Sequence, residues 1–331
     1  MQLTELGKEA AKVVSGRSVL VVSDSHVAPL YLETAAKALR SSGFSVATFI
    51  FQAGEAFKTF DTYLAILHKM AELPLTRTDC VVALGGGVVG DVVGFAAATY
   101  LRGIAVLQVP TSLLAMVDSS IGGKTAVNLP MGKNLVGAFH LPSLILRDYS
   151  VLQTLPPEIW LDGMGEVLKY GVLCDKALFE ALKNPKALQQ NPEPWIERCV
   201  RIKEEVVEKD VLDRGLRQTL NLGHTLGHAL EIASNFSIGH GSAVAWGLWQ
   251  IALFSAKSGW CDENVPQEIA AMLTLYGFPT EVPFSMSELY QILLQDKKRK
   301  GDSIDLVIPE AIGRCTLRRI TLKELEERLC E

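Results

Sequence analysis

The sequence lacks the patterns that mark secreted, membrane-spanning and nucleic-acid-binding proteins. Its six cysteines include no Cys-x-x-Cys pair, which argues against a disulfide framework or a thiolate zinc site. No uncharged apolar run reaches about 18 residues, and the N-terminus has no apolar signal core. The net charge is −5, whereas a general nucleic-acid binder has a basic excess. We therefore expect a cytoplasmic protein with reduced thiols and without nucleic-acid or membrane partners.

The pattern of apolar segments predicts two domains in the 331 residues. Over 1–150, apolar strands at 18–24, 80–84 and 104–110 alternate with helical segments, which is typical of a parallel sheet covered on both faces. From 151 to 331 the pattern is mostly helical, with one short strand expected near 303–309. We therefore predict an α/β, Rossmann-like N-terminal domain and an all-α C-terminal domain.

A glycine-rich stretch, GGGVVG at 85–90, lies between a predicted strand and a predicted helix. Glycines at such a turn let a pyrophosphate approach the backbone at a helix N-terminus. The alternative is a tight turn that binds nothing. The stretch also departs from the usual dinucleotide fingerprint, because it does not follow the first strand and no acidic residue ends a strand about 20 residues later.

A segment rich in Ser, Thr, Gly and Lys follows the strand that ends at 110. Lys124 and Lys133 each lie beside glycine, where a phosphate could meet an ammonium group and backbone N–H groups together. The alternative is an exposed loop. The flanking apolar residues favour a partly buried anion site.

The stretch RQTLNLGHTLGHALE lies in a helix predicted over 212–233. Arg217, Asn221, His224 and His228 would then form one polar stripe, because their spacing repeats with the helical period. Two histidines at i and i+4 can bind one metal, but Thr225 replaces the glutamate of the metalloprotease motif. His240 is a candidate third ligand for zinc, which often takes three protein ligands in catalytic sites.

A second charged pair, Glu166 and Lys169, lies three residues apart on a helix predicted over 158–172. A surface ion pair is the commoner explanation of this spacing. The neighbours are apolar, however, and a charge buried among them needs a partner or a metal.

Together the blocks GGGVVGD, VPTSLLAMVDSSIGGKTAVN, GKNLVGAFHLP, GEVLKYG and LNLGHTLGHALE resemble the 3-dehydroquinate synthase family of sugar-phosphate cyclases. The resemblance covers nearly the whole chain. It implies an NAD-binding domain, a helical domain that binds metal and substrate, a divalent metal (zinc or cobalt), and a homodimer.

The resemblance also implies roles for individual residues. Metal ligands would be Glu166, His224 and His240. Catalytic roles would belong to Asp118, Lys124, Lys169, Arg217, Asn221 and His228. Substrate would also contact Asn134, Lys203, one lysine of the 297–298 pair (Lys298 is the favoured one) and, from the neighbouring subunit, Arg102. NAD would contact Asp24, His26, Gly54, Glu55, Lys58, Gly86, Gly87, Val88, Val89, Gly90, Asp91, Thr111, Ser112, Lys124, Lys133, Val151, Leu152, Gln153 and Thr154.

The implied reaction converts 3-deoxy-D-arabino-heptulosonate 7-phosphate, an anionic sugar phosphate, to 3-dehydroquinate and phosphate. It proceeds by transient oxidation with NAD, phosphate elimination, re-reduction and intramolecular aldol cyclisation. Two alternatives remain at this point: a sister cyclase that acts on another sugar phosphate, and an NAD- and metal-dependent polyol dehydrogenase. A nucleotide-binding regulatory protein would not need the proposed metal ligands.

Overall fold

The computed structural model describes residues 1–294 and 299–329, with the backbone alone for 299–300. The chain forms two compact units, Met1–Pro156 and Pro157–Glu331. Within the described ranges, no helix has the length and apolar character needed to cross a membrane.

The N-terminal unit is built around a parallel sheet. Its five strands are all parallel and lie in the order β2-β1-β3-β4-β7. The strands of the unit are β1 Ser18–Asp24, β2 Ser45–Phe51, β3 Cys80–Gly85, β4 Ala105–Pro110, β5 Lys124–Leu129, β6 Gly132–Phe139 and β7 Leu144–Ile145, and its helices are α1 Leu6–Val13, α2 Ala28–Ser41, α3 Phe60–Glu72 and α4 Gly87–Thr99.

Side chains of the central strands alternate between two apolar cores. Leu20 and Val81 pack on one face with residues of α3 and α4. Val21 and Val82 pack on the other face with residues of α1 and α2. Because both faces are covered, the strands are apolar throughout, and the predicted parallel sheet with helices on both sides is confirmed.

The segment after β4 forms a hairpin that the sequence analysis did not include. Strands β5 and β6 pair antiparallel, with Lys124 opposite Phe139. Gly137 lies so close to Thr125 that an added Cβ would meet the Thr125 carbonyl oxygen at 1.9 Å. The polar residues of this segment therefore lie on a defined two-stranded ribbon, so the expected alternative of an exposed loop is wrong.

The C-terminal unit is mostly helical, as predicted, and also contains a small antiparallel sheet of order β10-β9-β8. The strand expected near 303–309 is present as β9, and β10 was not predicted. The helices are α5 Pro157–Cys174, α6 Lys176–Leu182, α7 Pro185–Gln190, α8 Glu193–Lys209, α9 His224–Ala233, α10 His240–Lys257, α11 Asn264–Tyr276, α12 Met286–Leu293 and α13 Leu322–Leu329, and the strands are β8 Arg299–Lys300, β9 Ser303–Ala311 and β10 Arg314–Thr321.

The continuous helix predicted over 212–233 is wrong. A 3₁₀ turn covers Leu216–Asn221, and Gly223 has a left-handed φ of 78° before α9 begins at His224. Arg217 and Asn221 therefore do not share a helix with His224 and His228. Packing requires glycine at this break, because a Cβ on Gly223 would lie 2.6 Å from the Val244 carbonyl oxygen of α10.

Glycines bring α5, α9 and α10 into close contact. A Cβ on Gly165 of α5 would lie 1.9 Å from the carbonyl oxygen of Gly241 in α10. A Cβ on Gly227 of α9 would lie 2.9 Å from the Ala243 carbonyl oxygen. Each distance is shorter than a side chain tolerates, so these three backbones approach each other only where a Cβ is missing. Their sequence neighbours Glu166, His228 and His240 are consequently brought together.

Candidate active site

Three predicted metal ligands meet where α5, α9 and α10 converge. Glu166 lies on α5, His224 is the first residue of α9, and His240 is the first residue of α10. The Nε2 atoms of His224 and His240 lie 3.4 and 3.3 Å from Glu166 Oε1. One ligand atom from each residue lies within 4.8 Å of the others, which is a spacing that one metal ion can bridge.

The second nitrogen of each imidazole is held by a protein acceptor. His224 Nδ1 lies 3.1 Å from the Leu222 carbonyl oxygen, and His240 Nδ1 lies 3.0 Å from Glu231 Oε2. A histidine that donates from Nδ1 has its lone pair on Nε2, the atom that faces Glu166 in both cases. One carboxylate and two imidazoles oriented in this way fit a divalent zinc or cobalt ion.

The electrostatics of the cluster also favour a cation. Burial acts to lower the pKa of His240, but its hydrogen bonds to Glu166 and Glu231 outweigh that effect and raise the pKa to about 10. Positive charge next to these two carboxylates is therefore stabilised. A bound divalent ion would supply that charge in place of a proton.

His228 lies one turn after His224 on α9 and completes a group of three rings. Its ring centroid is 5.4 Å from that of His224 and 5.8 Å from that of His240. His228 also belongs to a second group that could hold an ion, together with Glu231 and His240. The i, i+4 histidine pair therefore does lie on one face of α9, although the longer stripe does not exist.

The predicted substrate cations of this unit are buried. Lys169, Lys203 and Arg217 are 1%, 5% and 1% exposed. Lys169 forms an ion pair with Glu166. Arg217 donates from Nη1 to the Val211 carbonyl oxygen at 2.7 Å, and its 3₁₀ turn packs against α8, which carries Lys203.

This burial has a consequence for the ligand. Among the described residues of the unit that are less than 9% exposed, these three cations accompany two carboxylates, Glu166 and Glu231. Buried charge needs a counter-charge, which neighbouring carboxylates and an anionic ligand can both supply. Asn221, at the end of the 3₁₀ turn, is partly buried.

In the N-terminal unit, the glycine stretch forms the predicted strand–turn–helix. Gly85 ends β3, Gly86 caps α4, and Gly87 to Asp91 form the first turns of the helix. A Cβ on Gly90 would lie 2.9 Å from Gln108 Oε1 of β4, so this glycine is required for packing. A Cβ on Gly86 would meet nothing nearer than Ser112 Oγ at 3.5 Å, so packing does not require glycine here. Because glycine has no side chain, the helix N-terminus is left open as a cradle that fits a pyrophosphate.

Asp24, at the end of β1, orders the start of α2. Its Oδ1 accepts from the backbone N–H groups of His26 and Val27 at 2.8 and 2.9 Å.

The segment 149–154 is a 3₁₀ helix in which Val151 and Leu152 are buried. Tyr31 of α2 donates to the Val151 carbonyl oxygen and lies 2.5 Å from Thr154 Oγ1, whereas Gln153 is exposed. These contacts bring the 149–154 segment to α2.

Lys58 is the centre of a polar network within the same unit. Its Nζ donates to Asp91 Oδ2 at 2.5 Å and to Asn134 Oδ1 at 2.6 Å. Asn128 extends the network, because its Nδ2 donates to Glu55 Oε1 at 2.8 Å and its Oδ1 accepts from the Asn134 backbone. Lys133 Nζ lies 3.9 Å from Glu55 Oε1. Gly54, with a φ of 116°, precedes the 3₁₀ turn that contains Glu55.

This network joins residues predicted for NAD with one predicted for substrate. Asn128 was missed, since an isolated asparagine in a strand gives no sequence signal of its contact with Glu55, 73 positions away.

The remaining predicted residues of this unit lie after β4 and α4. Thr111 and Ser112 are buried directly after β4, and Thr111 N–H donates to the Gly85 carbonyl oxygen at 3.0 Å, so they lie beside the glycine turn.

Asp118 is in a short π-helical turn. Lys124 begins β5 and is exposed. Arg102 is exposed in a turn where both Leu101 and Arg102 have left-handed φ values of 51° and 66°.

Two further acidic residues next to the metal cluster were not predicted as site residues. Glu231 is the last residue of the LNLGHTLGHALE block and contacts His240, and Asp162 accepts from the Ser242 backbone N–H at 3.0 Å. Glu231 lies seven residues after His224, so helical periodicity would have placed this acid on the same face as the histidine. Lys298, the predicted substrate lysine, lies outside the described residues.

Comparison with known proteins agrees with this geometry. Residues 48–162 match the family described as 3-dehydroquinate synthase N-terminal, and residues 163–299 match 3-dehydroquinate synthase C-terminal. The 3-dehydroquinate synthase of Streptococcus gordonii is 41% identical over 98% of this chain and 93% of its own.

Two solved structures of cyclases are also similar. A 2-deoxy-scyllo-inosose synthase, complexed with carbaglucose-6-phosphate, NAD+ and Co2+, is 27% identical with a TM-score of 0.87 over 98% of this chain and 94% of its own. The 2-epi-5-epi-valiolone synthase of Streptomyces hygroscopicus subsp. jinggangensis 5008, with NAD+ and Zn2+, is 27% identical with a TM-score of 0.88 over 96% and 91%. With both family domains matched in order along the chain, this protein belongs to the 3-dehydroquinate synthase family.

Proposed function

We propose that this chain is a 3-dehydroquinate synthase that converts 3-deoxy-D-arabino-heptulosonate 7-phosphate to 3-dehydroquinate and phosphate. The observation that carries the proposal is the convergence of Glu166, His224 and His240 in a chain whose whole length matches curated 3-dehydroquinate synthases at about 40% identity. The reaction belongs to the shikimate pathway, and the enzyme is a lyase and cyclase.

The proposed cofactors are NAD and a divalent zinc or cobalt ion. When bound, NAD supplies a transient oxidation of the substrate C5 hydroxyl, and the ion acts there as a Lewis acid. Glu166, His224 and His240 would hold the ion. The cradle at Gly86 and the N–H groups of the first turn of α4 would hold the pyrophosphate of NAD, with Thr111 and Ser112 beside them.

The substrate is a sugar phosphate with a second anionic group, its carboxylate. Lys203 and Arg217 are proposed to bind that carboxylate, since a buried guanidinium can donate to both oxygens. Lys124, on the hairpin, is proposed for the phosphate, together with Arg102 of a second subunit. His228, next to the proposed ligands but not one of them, is proposed to exchange a proton with substrate.

A homodimer is part of this proposal. Arg102 is exposed in a turn of two consecutive left-handed residues, and such conformations cost about 1–2 kcal/mol per residue. Residues held in such sparsely populated conformations cluster at functional sites. Mixing Arg102→Ala with the inactive Lys124→Ala should restore one competent site per mixed dimer. A mixture that stays as inactive as its parents after confirmed subunit exchange contradicts the crossing of Arg102.

The reaction is tested by measuring phosphate release and net NADH together. Purified protein with zinc or cobalt should release phosphate from the heptulosonate phosphate with NAD far below the substrate concentration. A preference for sedoheptulose 7-phosphate, which lacks the carboxylate, indicates a sister cyclase instead. Stoichiometric NADH formation from a polyol without phosphate release indicates a dehydrogenase.

Arg217→Ala tests the carboxylate assignment directly. Removing one partner of a desolvated charge pair typically costs about 2–5 kcal/mol, which corresponds to roughly 30-fold to several thousand-fold weaker binding. We expect that loss for the heptulosonate phosphate, with NAD and metal affinity retained. Isothermal titration with each ligand separates the two effects. Equal losses of all three ligands would show that Arg217 acts on the fold.

A further inference from the structure

His240 differs from the other two proposed ligands in how its position is determined. Glu166 lies inside α5, and Gly223 sets the start of α9 before His224, whereas His240 begins α10 after the segment 234–239. Its side chain is 29% exposed, compared with 0% for Glu166 and 12% for His224. An imidazole at the start of a helix needs an external contact to keep one orientation.

A buried carboxylate provides such a contact. Glu231 is 2% exposed, and its Oε2 lies 3.0 Å from His240 Nδ1. It lies seven residues after His224, so both residues lie on the same face of α9 two turns apart. The helix that carries the second ligand thus also carries the group that contacts the third.

We propose that Glu231 is a positioning residue that fixes the ring orientation and tautomer of His240 for the metal. The inference rests on the metal site of the proposed function. With Nδ1–H donated to Glu231, the lone pair of His240 lies on Nε2, and that atom faces Glu166 at 3.3 Å. The negative charge of Glu231 also makes the imidazole a stronger donor to a cation.

The backbone of His240 is positioned in a parallel way by α5. Asp162 lies one turn before Glu166, and its Oδ1 accepts from the Ser242 backbone N–H at 3.0 Å, in the first turn of α10. A Cβ on Gly241 would lie 1.7 Å from the Asp162 carbonyl oxygen, so the backbones of α5 and α10 are in direct contact here. Each helix that contributes a ligand therefore also contributes an acid that holds the third ligand, one at its backbone and one at its ring.

The group His228, Glu231 and His240 gives a competing arrangement, in which Glu231 is itself a ligand. That arrangement would use Nδ1 of His240 and leave Glu166 and His224 without the ion. The direct 3.0 Å contact between Nδ1 and Glu231, together with Nε2 directed at Glu166, favours the positioning role.

The test measures Co²⁺ affinity by competition with a chelator, and the visible absorption bands of bound Co²⁺, in the full-length protein without substrate. Glu231→Gln keeps the shape and an oxygen acceptor but loses the charge, and Glu231→Leu loses both. We expect about 10-fold weaker binding for the first variant and about 100-fold for the second, with altered bands in both. His224→Ala should lose more affinity than either, and His228→Ala should keep it.

Ser255→Ala is the matched control. Ser255 is fully buried on the same helix as His240 and donates to the Pro309 carbonyl oxygen at 2.7 Å, far from the cluster. Its variant should lose a buried hydrogen bond without a change in Co²⁺ affinity or spectrum. Thermal unfolding of every variant identifies any that fail to fold. If Glu231→Leu fails to fold, the Co²⁺ affinity of the isosteric Glu231→Gln variant decides the test.

The outcomes are separable. Wild-type affinity and spectrum in the Glu231 variants would overturn the inference and leave the proposed metal site intact. Retention of Co²⁺ by His224→Ala, with its loss in His228→Ala and Glu231→Leu, would overturn it in favour of Glu231 as a ligand. A wild-type protein that binds neither zinc nor cobalt would instead contradict the proposed function.

Discussion

The candidate substrate and metal residues of the two compact units differ in burial. In Met1–Pro156, Arg102, Lys124 and Asn134 are exposed on turns and on the hairpin. In Pro157–Glu331, Glu166 and Lys169 are almost completely buried on packed helices. Water can solvate the polar groups of the exposed residues. Glu166 and Lys169 are shielded from water, so their burial would cost free energy if their charges were not paired inside the fold.

Glycines at the two candidate sites also differ. Gly86 in the N-terminal unit meets only an ordinary contact if a Cβ is added, whereas Gly165 and Gly241 in the C-terminal unit would overlap backbone oxygens. Packing therefore explains the glycine at 241 but not the one at 86, where the proposed ligand would need the space. At Gly86 binding and stability should therefore separate on mutation, and at Gly241 they should fall together.

Gly241→Ala should have the largest effect. The new Cβ would lie 1.7 Å from a backbone carbonyl oxygen, and no side-chain rotation relieves that overlap. We expect the free energy of unfolding of the C-terminal unit to fall by on the order of 4 kcal/mol or more, with loss of metal binding. Denaturant unfolding followed by tryptophan fluorescence measures this, and an unchanged midpoint would show that α5 and α10 separate easily.

Lys169→Met and Lys124→Met form a matched pair. Both lysines are proposed to act on substrate, so both variants should lose activity. Lys169 is paired with buried Glu166, and breaking a buried ion pair costs about 3 kcal/mol, whereas an exposed substitution such as Lys124→Met stays within about 0.5 kcal/mol. Urea midpoints separate the two. Equal stability losses in Lys169→Met and Lys124→Met would show that the buried and the exposed lysine contribute alike to stability.

Asp79 tests whether burial, and not the unit, decides sensitivity. It is a 4% exposed carboxylate of the N-terminal unit that accepts from the Thr76 and Ser18 N–H groups at 2.7 and 2.8 Å. Burial raises its pKa, but the hydrogen bonds from Thr76 and Ser18 outweigh this and lower it below the ordinary 3.8.

Its stabilising contribution is therefore complete above pH 3.8 and is lost as the pH falls below that value towards the lowered pKa. Asp79→Asn should cost about 1–3 kcal/mol at pH 7 and should flatten the acid limb of the stability curve. Unfolding curves recorded from about pH 7 down to about pH 2.5 measure both effects. An unchanged acid limb would assign that dependence to other carboxylates.

Gly86→Ala should have the smallest effect on stability. Its φ of −78° suits any residue, and the added Cβ lies 3.5 Å from Ser112 Oγ, so the free energy of unfolding should change by less than about 0.5 kcal/mol. NAD affinity should nevertheless fall, because a methyl group would occupy the cradle. Fluorescence titration with NADH checks this, and unchanged affinity would show that the pyrophosphate binds elsewhere.

Strand–helix alternation sufficed to predict the N-terminal sheet, because buried parallel strands are apolar along their whole length. β1 was predicted with its observed bounds, Ser18–Asp24. Helical periodicity likewise placed α8 over 193–209. The hairpin at 124–139 was missed, since its glycine and polar content hides the period of two. The helix over 212–233 was wrong, because helical periodicity does not register a left-handed glycine.

By itself the sequence determined the chemistry of this protein: which residues can bind a divalent ion, where a pyrophosphate can approach a helix, and to which family the chain is similar. Those inferences depend only on residue type and on spacing along one chain segment. Tertiary structure alone decided which atoms meet. Glu166, His224 and His240 converge, and Glu231 holds His240, because α5, α9 and α10 approach at glycines that are up to 76 positions apart, from Gly165 to Gly241. Contacts over such separations depend on packing between helices, which no local pattern encodes.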